Sequence, residues 1–125
     1  MQLQDANKVF FTVNDGAAAW DKDSDPASIE INAWYHIAVS YGSSEMVFYI
    51  NGVEVARETR AGFGDILAIA DHDFAIGSDI DIPWDGWNLE NGSYFNGSVD
   101  EVRLYKSVLT AAQIASIYNL EKVPE

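Results

Sequence analysis

Lys8 to Val13 runs Lys-Val-Phe-Phe-Thr-Val, β-branched and aromatic residues suited to a pleated, half-buried surface, and Asn14-Asp15-Gly16 follows with residues that tolerate positive φ. The pattern predicts a strand and then a turn. Residues 17–28 are small and acidic with Pro26 near their end, which predicts a loop, while Ile29-Glu30-Ile31 alternates briefly as a short edge-like strand. From Trp34 to Tyr41 the alternation is longer: Tyr35, Ile37, Val39 and Tyr41 fall on one face, His36, Ala38 and Ser40 on the other. Gly42-Ser43-Ser44 then turns the chain. Glu45 to Ile50 and Val53 to Arg57 flank Asn51-Gly52, the dipeptide best fitted to a two-residue type I′ turn, because both central residues need φ > 0. A hairpin is predicted there.

Gly62 and Gly64 interrupt residues 58–72, and Ile66-Leu67-Ala68-Ile69 fits either a strand or a buried turn. Asp73 to Gly77 reads as a compact strand. Residues 78–97 hold Pro83, three Gly, Trp84, Trp87 and several acids, too long and too broken for a regular element, and predict a large surface loop of the kind that carries function. Ser98 to Tyr105 resumes strict alternation, with Val99, Glu101, Arg103 and Tyr105 on one face and Asp100, Val102 and Leu104 on the other. This predicts another strand. Thr110-Ala-Ala-Gln113 is a capping box opening a short helix, with Ile114, Ile117 and Tyr118 at helical spacing. The class is therefore all-β with one C-terminal helix, and no repeat or heptad is present.

At 125 residues the chain fits one domain, 1–125, around one core, and with 48% apolar and 22% charged residues it has ordinary globular usage. Charge changes the picture more. Seven basic against 20 acidic residues give −13, which repels phosphate backbones and anionic lipid, so nucleic acid is excluded as a partner. No apolar run approaches the roughly 20 residues that span a bilayer, and Met1 to Asp5 shows no basic or apolar leader. The expectation is a soluble chain with no membrane insertion and no targeting address. Without Cys there is no disulfide framework and no thiol chemistry.

Four segments carry a family resemblance. Trp34-Tyr35-His36-Ile37-Ala38-Val39, Phe48-Tyr49-Ile50-Asn51-Gly52, Ala75-Ile76-Gly77 and Phe95-Asn96-Gly97-Ser98-Val99-Asp100-Glu101-Val102-Arg103-Leu104-Tyr105 occur in that order. They resemble the strand, hairpin and closing-strand motifs of the laminin-G-like, concanavalin-A-like jelly roll, and Leu109-Thr110 with its helix resembles the usual ending. The resemblance runs from about Lys8 to Tyr118 and implies an abbreviated two-sheet jelly-roll sandwich. The family's first strands have no counterpart in the sequence. A sandwich lacking them exposes edges and apolar face, so the resemblance implies a homodimer, completion by another chain segment, or a shortened version of the fold.

Candidate chemistry concentrates in the long loop, where Trp84, Trp87 and Tyr94 accompany Asp85, Asn88 and Asn91. Aromatic rings stack on apolar sugar faces while neighbouring amides and carboxylates accept hydroxyls, so these six residues form either a glycan platform or a satellite core pinning the loop. Trp20 and Trp34 are expected to pack. Three acidic clusters could offer oxygen to calcium: Asp21/Asp23/Asp25, Asp71/Asp73 and Asp79/Asp81/Asp85. The first is no EF-hand, because Pro26 replaces the glycine of the sixth position and Asn32 the acid of the twelfth. The resemblance implies a structural calcium held by the closing-strand Asp100, whose partners in the family usually come from the first strand that is missing here; Asp79 and Asp81, from their own acidic cluster, are the next candidate ligands, and the alternative for each cluster is a solvated acidic loop. No segment has the carboxylate spacing of glucanases of this fold, and a structural role is expected for His36, so no enzyme is expected.

Two functions follow. One is a non-catalytic carbohydrate-binding module whose partner is a glycan or cell-surface polysaccharide, with calcium as a candidate cofactor; the other is a structural or adhesion domain binding protein, including copies of itself. The resemblance implies an extracellular or cell-surface location. For a complete gene product the alternative is the cytoplasm.

Overall fold

The computed structural model describes residues 2–4, 7–42, 44–66, 76–77 and 95–122. The chain divides into two compact units, Met1–Leu67 with Tyr105–Glu125, and Ala68–Leu104. Among the described residues, all the regular elements lie in the first. Strands β1 (Gln2–Gln4), β2 (Lys8–Asn14) and β3 (Ala19–Asp23) form one antiparallel sheet in that order, and β4 (Ile37–Gly42), β5 (Glu45–Ile50) and β6 (Val53–Thr59) form another. Helix α1 (Ala111–Glu121) follows.

Strand β5 organises the core because both its faces are covered. Met46 and Phe48 meet Val9, Val13, Trp20 and Phe63 on one side, while Val47 and Tyr49 meet Ile114 of α1 on the other. Burying each such side chain is worth about 1.5 to 3 kcal/mol. The expected faces of β4 are observed: Ile37, Val39 and Tyr41 pack toward the first cluster and Ala38 toward the second. The Asn51-Gly52 turn forms as the dipeptide predicts, with φ of 51° and 75°. In β6 the register shifts opposite Phe48 and Tyr49, so Val55 and Ala56 both turn to the core. The bulge also brings Glu54 and Arg57 together, three residues apart, and they pair through two hydrogen bonds of 2.7 and 2.6 Å. That contact, with Glu45 beside it, raises the Arg57 pKa and lowers that of Glu54.

Four expectations about elements need correction. Residues 17–28 are not all loop, since Ala19–Asp23 is β3, in register with β2 from Asn14↔Ala19 to Phe10↔Asp23. Trp20 is buried in the core as expected, and Thr12 Oγ1 donates to Asp21 Oδ1 at 2.9 Å. Cross-strand pairing thus overrides the weak strand propensity of Asp-Lys-Asp. Ile29–Ile31 is not a strand: the Ile29 N–H donates to the Asn7 carbonyl, Ile31 is exposed, and Asn32 at φ 62° turns the chain away. Ser98–Tyr105 is irregular and exposed, with Glu101 at φ 50°. An alternating sequence becomes a strand only beside a ladder partner, and among the described residues none pairs with it. Of the strand expected at 73–77, residues 73–75 lie outside the described residues, and Ile76-Gly77 is a bend.

The turn after β2 is tied to the loop after β6 by one carboxylate. Asp15 Oδ1 accepts the N–H groups of Ala17 and Ala18, and Oδ2 accepts that of Gly64 at 3.1 Å. The Gly64 bond, then those of Ala18 and Ala17, holds the Asp15 pKa below its usual 3.8. A depressed folded-state value means the contribution is fully present above pH 3.8 and is lost as pH falls through the lower folded value. Asp15→Ala should therefore lower the melting temperature at neutral pH, with the gap to wild type closing in acid. A gap unchanged down to pH 2 would separate the loss from the carboxylate's charge.

Candidate functional site

The aromatic loop set, Trp84, Trp87, Tyr94, Asp85, Asn88 and Asn91, lies outside the described residues, as do Asp71, Asp73, Asp79 and Asp81. Its flanks are described: the Phe95 N–H donates to the Gly77 carbonyl at 2.8 Å, so the two ends of the 78–94 excursion meet. Gly97 allows the next turn, where any Cβ would stand 2.7 Å from the Phe95 ring. Asp100 is exposed, and its Oδ1 accepts the Glu101 N–H at 2.8 Å.

The first acidic cluster is put to three separate uses. Asp21 bonds Thr12, Asp23 Oδ1 accepts the Asp25 N–H, and Asp25 pairs with Lys8, which lowers the Asp25 pKa. Among the described residues, no three acidic or imidazole side chains converge as metal ligands. One carboxylate could supply at most two of the six to eight oxygens that calcium takes, so Asp100 alone would not make a site.

Trp34 was expected to pack, and it does not. It is 67% exposed, and Ile31, three residues earlier in the chain, is 78% exposed. The loop that carries it is nonetheless braced. The Glu30 N–H donates to the Tyr35 hydroxyl at 3.1 Å; the His36 N–H donates to Asn51 Oδ1 at 3.0 Å, and the Asn51 N–H returns to the His36 carbonyl at 2.8 Å. Trp34 thus offers an exposed apolar ring on a braced stretch of backbone that also carries Glu30, Asn32 and Tyr35, residue types able to bond hydroxyls. Its position could have been read from parity, since Trp34 alternates with His36 and Ala38 and not with the core-facing Ile37, Val39 and Tyr41. Among the described residues, α1 and Leu109 cover that outer face: the His36 ring lies 5.9 Å from that of Tyr118 and its Nε2 is 4.0 Å from Glu121 Oε2.

Comparison with solved structures finds an S-layer domain-containing protein from Clostridium thermocellum, with a TM-score of 0.56 and 20% identity over 89% of this chain. The chain spans about half of that structure, 51%. No curated protein matches the sequence. A model of the concanavalin A-like lectin/glucanases superfamily, of the laminin G type, matches residues 1–115. The two antiparallel sheets, the Asn51-Gly52 hairpin and the capped helix agree with that match, and the chain belongs to the concanavalin A-like lectin/glucanases superfamily.

Proposed function

We propose that the chain is a non-catalytic glycan-recognition module acting outside the cell or at its surface. The observation that carries this reading is Trp34, a 67% exposed indole on a loop hydrogen-bonded at both ends, in a domain whose superfamily includes lectins. Such a ring can stack on a sugar face without the loop backbone reorganising, which lowers the entropic cost of binding. Trp84, Trp87 and Tyr94, with Asp85, Asn88 and Asn91, are a second, separate set proposed to contact glycan. The S-layer name of the structural neighbour is compatible with a surface setting, although the likeness itself extends to the fold alone. Calcium enters through Asp100, Asp79 and Asp81, as an ion that orders the loop rather than one that reacts.

Affinity electrophoresis through gels loaded with cell-wall polysaccharides tests the proposal. Wild type should be retarded by at least one of them, and Trp34→Ala should weaken retention about tenfold, the equivalent of about 1.4 kcal/mol, without lowering the melting temperature. Trp84→Ala and Trp87→Ala should do the same, and chelator should weaken retention if calcium orders the loop. Wild-type retention in all three variants would overturn the glycan reading.

A further inference from the structure

Sequence and structure part most clearly at residues 98–104. The alternation is that of a strand, yet Val99, Val102 and Leu104 stand 51%, 50% and 80% exposed, and no described strand pairs with them. Glu101 is held at φ 50°, a left-handed conformation that costs a non-glycine residue stability and that strands do not contain. Pairing would remove it. In extended form the segment would present a row of backbone donors and acceptors to another strand.

Charge chooses the occupant. At −13 overall, two copies of this chain repel over most of their surfaces. Residues 95–110 are different: Asp100 and Glu101 are balanced by Arg103 and Lys106, for a net charge of zero. The charges are also arranged symmetrically about Val102. When two copies run antiparallel with Val102 opposite Val102, Glu101 of each lies opposite Arg103 of the other, and Asp100 lies opposite Leu104. Moving the two-fold centre by one residue sets Glu101 against Glu101 or Arg103 against Arg103, and directly opposed like charges are destabilising. Within the single chain Glu101 and Arg103 already meet at 2.8 Å, so the exchange keeps the ion pair and adds a backbone ladder and the Val102 contact.

We infer that residues 98–104 are a homodimer surface, through which two copies of this chain pair antiparallel about a two-fold axis at Val102. The two-fold operation closes on itself, so the assembly stops at two. This inference stands apart from the glycan reading, and either can fail without the other.

Sedimentation equilibrium of the 125-residue chain over a wide concentration range tests it. Wild type should show a monomer–dimer equilibrium. Val102→Glu, which sets two carboxylates together on the axis, should weaken it at least tenfold, while Val53→Glu, at an exposed position on β6, should leave it unchanged. Glu101→Arg and Arg103→Glu should each weaken the dimer, and the double exchange should restore it, a rescue that general surface effects would not produce. A monomer at every concentration would overturn the inference and leave the segment for a different chain. A dimer indifferent to Val102→Glu, or single exchanges that the double exchange fails to rescue, would overturn it as well.

Discussion

Phe48→Ala should remove about 3 to 5 kcal/mol of stability, out of the 5 to 15 kcal/mol typical of a domain. Phe48 is 1% exposed in the middle of β5, where it packs with Val9, Val13, Trp20, Met46 and Phe63 between the two sheets. The surroundings are poorly able to collapse into the space left behind. Trp20 and Phe63 meet edge to face at 5.4 Å, each ring also meets Tyr41 at 6.0 Å, and the Tyr41 hydroxyl is fixed to the Gly64 carbonyl at 2.5 Å. A cavity should therefore persist, and its volume adds to the transfer cost of the lost ring. Urea unfolding followed by tryptophan fluorescence reads the change, with Met46→Leu as a volume-conserving control expected to cost less than about 1.5 kcal/mol. A loss under about 1 kcal/mol for Phe48→Ala would mean that the sheets do not pack through this residue.

Elements with a local cause were legible in the sequence. The Asn51-Gly52 turn and the Thr110 capping box depend on residues within a few positions of one another, and both form: Thr110 Oγ1 accepts the Gln113 N–H while the Gln113 side chain accepts the Thr110 N–H. Strand β3 was missed because its cause is remote. Asp21, Lys22 and Asp23 have little preference for a strand and are held in one by β2, around the single buried anchor Trp20. Ser98–Tyr105 shows the reverse, a sequence that favours a strand without a partner to pair with among the described residues. Trp34 was misjudged for a related reason: composition marks tryptophan as core, and only the cover actually laid over its face decides. Asp100 could be named from its motif, but no spacing in the sequence shows which oxygens, if any, converge with it.

Gly52→Ala should destabilise the domain by more than the usual cost of a strained turn, because it acts on two elements at once. At φ 75° the backbone alone penalises an L-residue by about 1 to 2 kcal/mol. The added Cβ would also stand 3.2 Å from the Ala115 Cα and 3.0 Å from the Tyr118 ring, so α1 must move away from the hairpin tip. A rotamer change can relieve the Tyr118 ring, but not its Cβ at 3.1 Å or the backbone of Ala115. Pushed outward, α1 loosens Ile114 from Val47 and Tyr49, and an 11-residue helix has little stability without tertiary packing. The variant should thus lose far-UV helical signal at temperatures where its sheets remain folded. Asn51→Gly supplies the contrast, since glycine accepts φ 51° and adds no atom against α1, but gives up the bond from the His36 N–H, worth about 1 kcal/mol. Equal helical signal in the two variants would confine the effect of Gly52→Ala to the turn, and α1 would then be held by Ile114 and its neighbours without close approach to the hairpin.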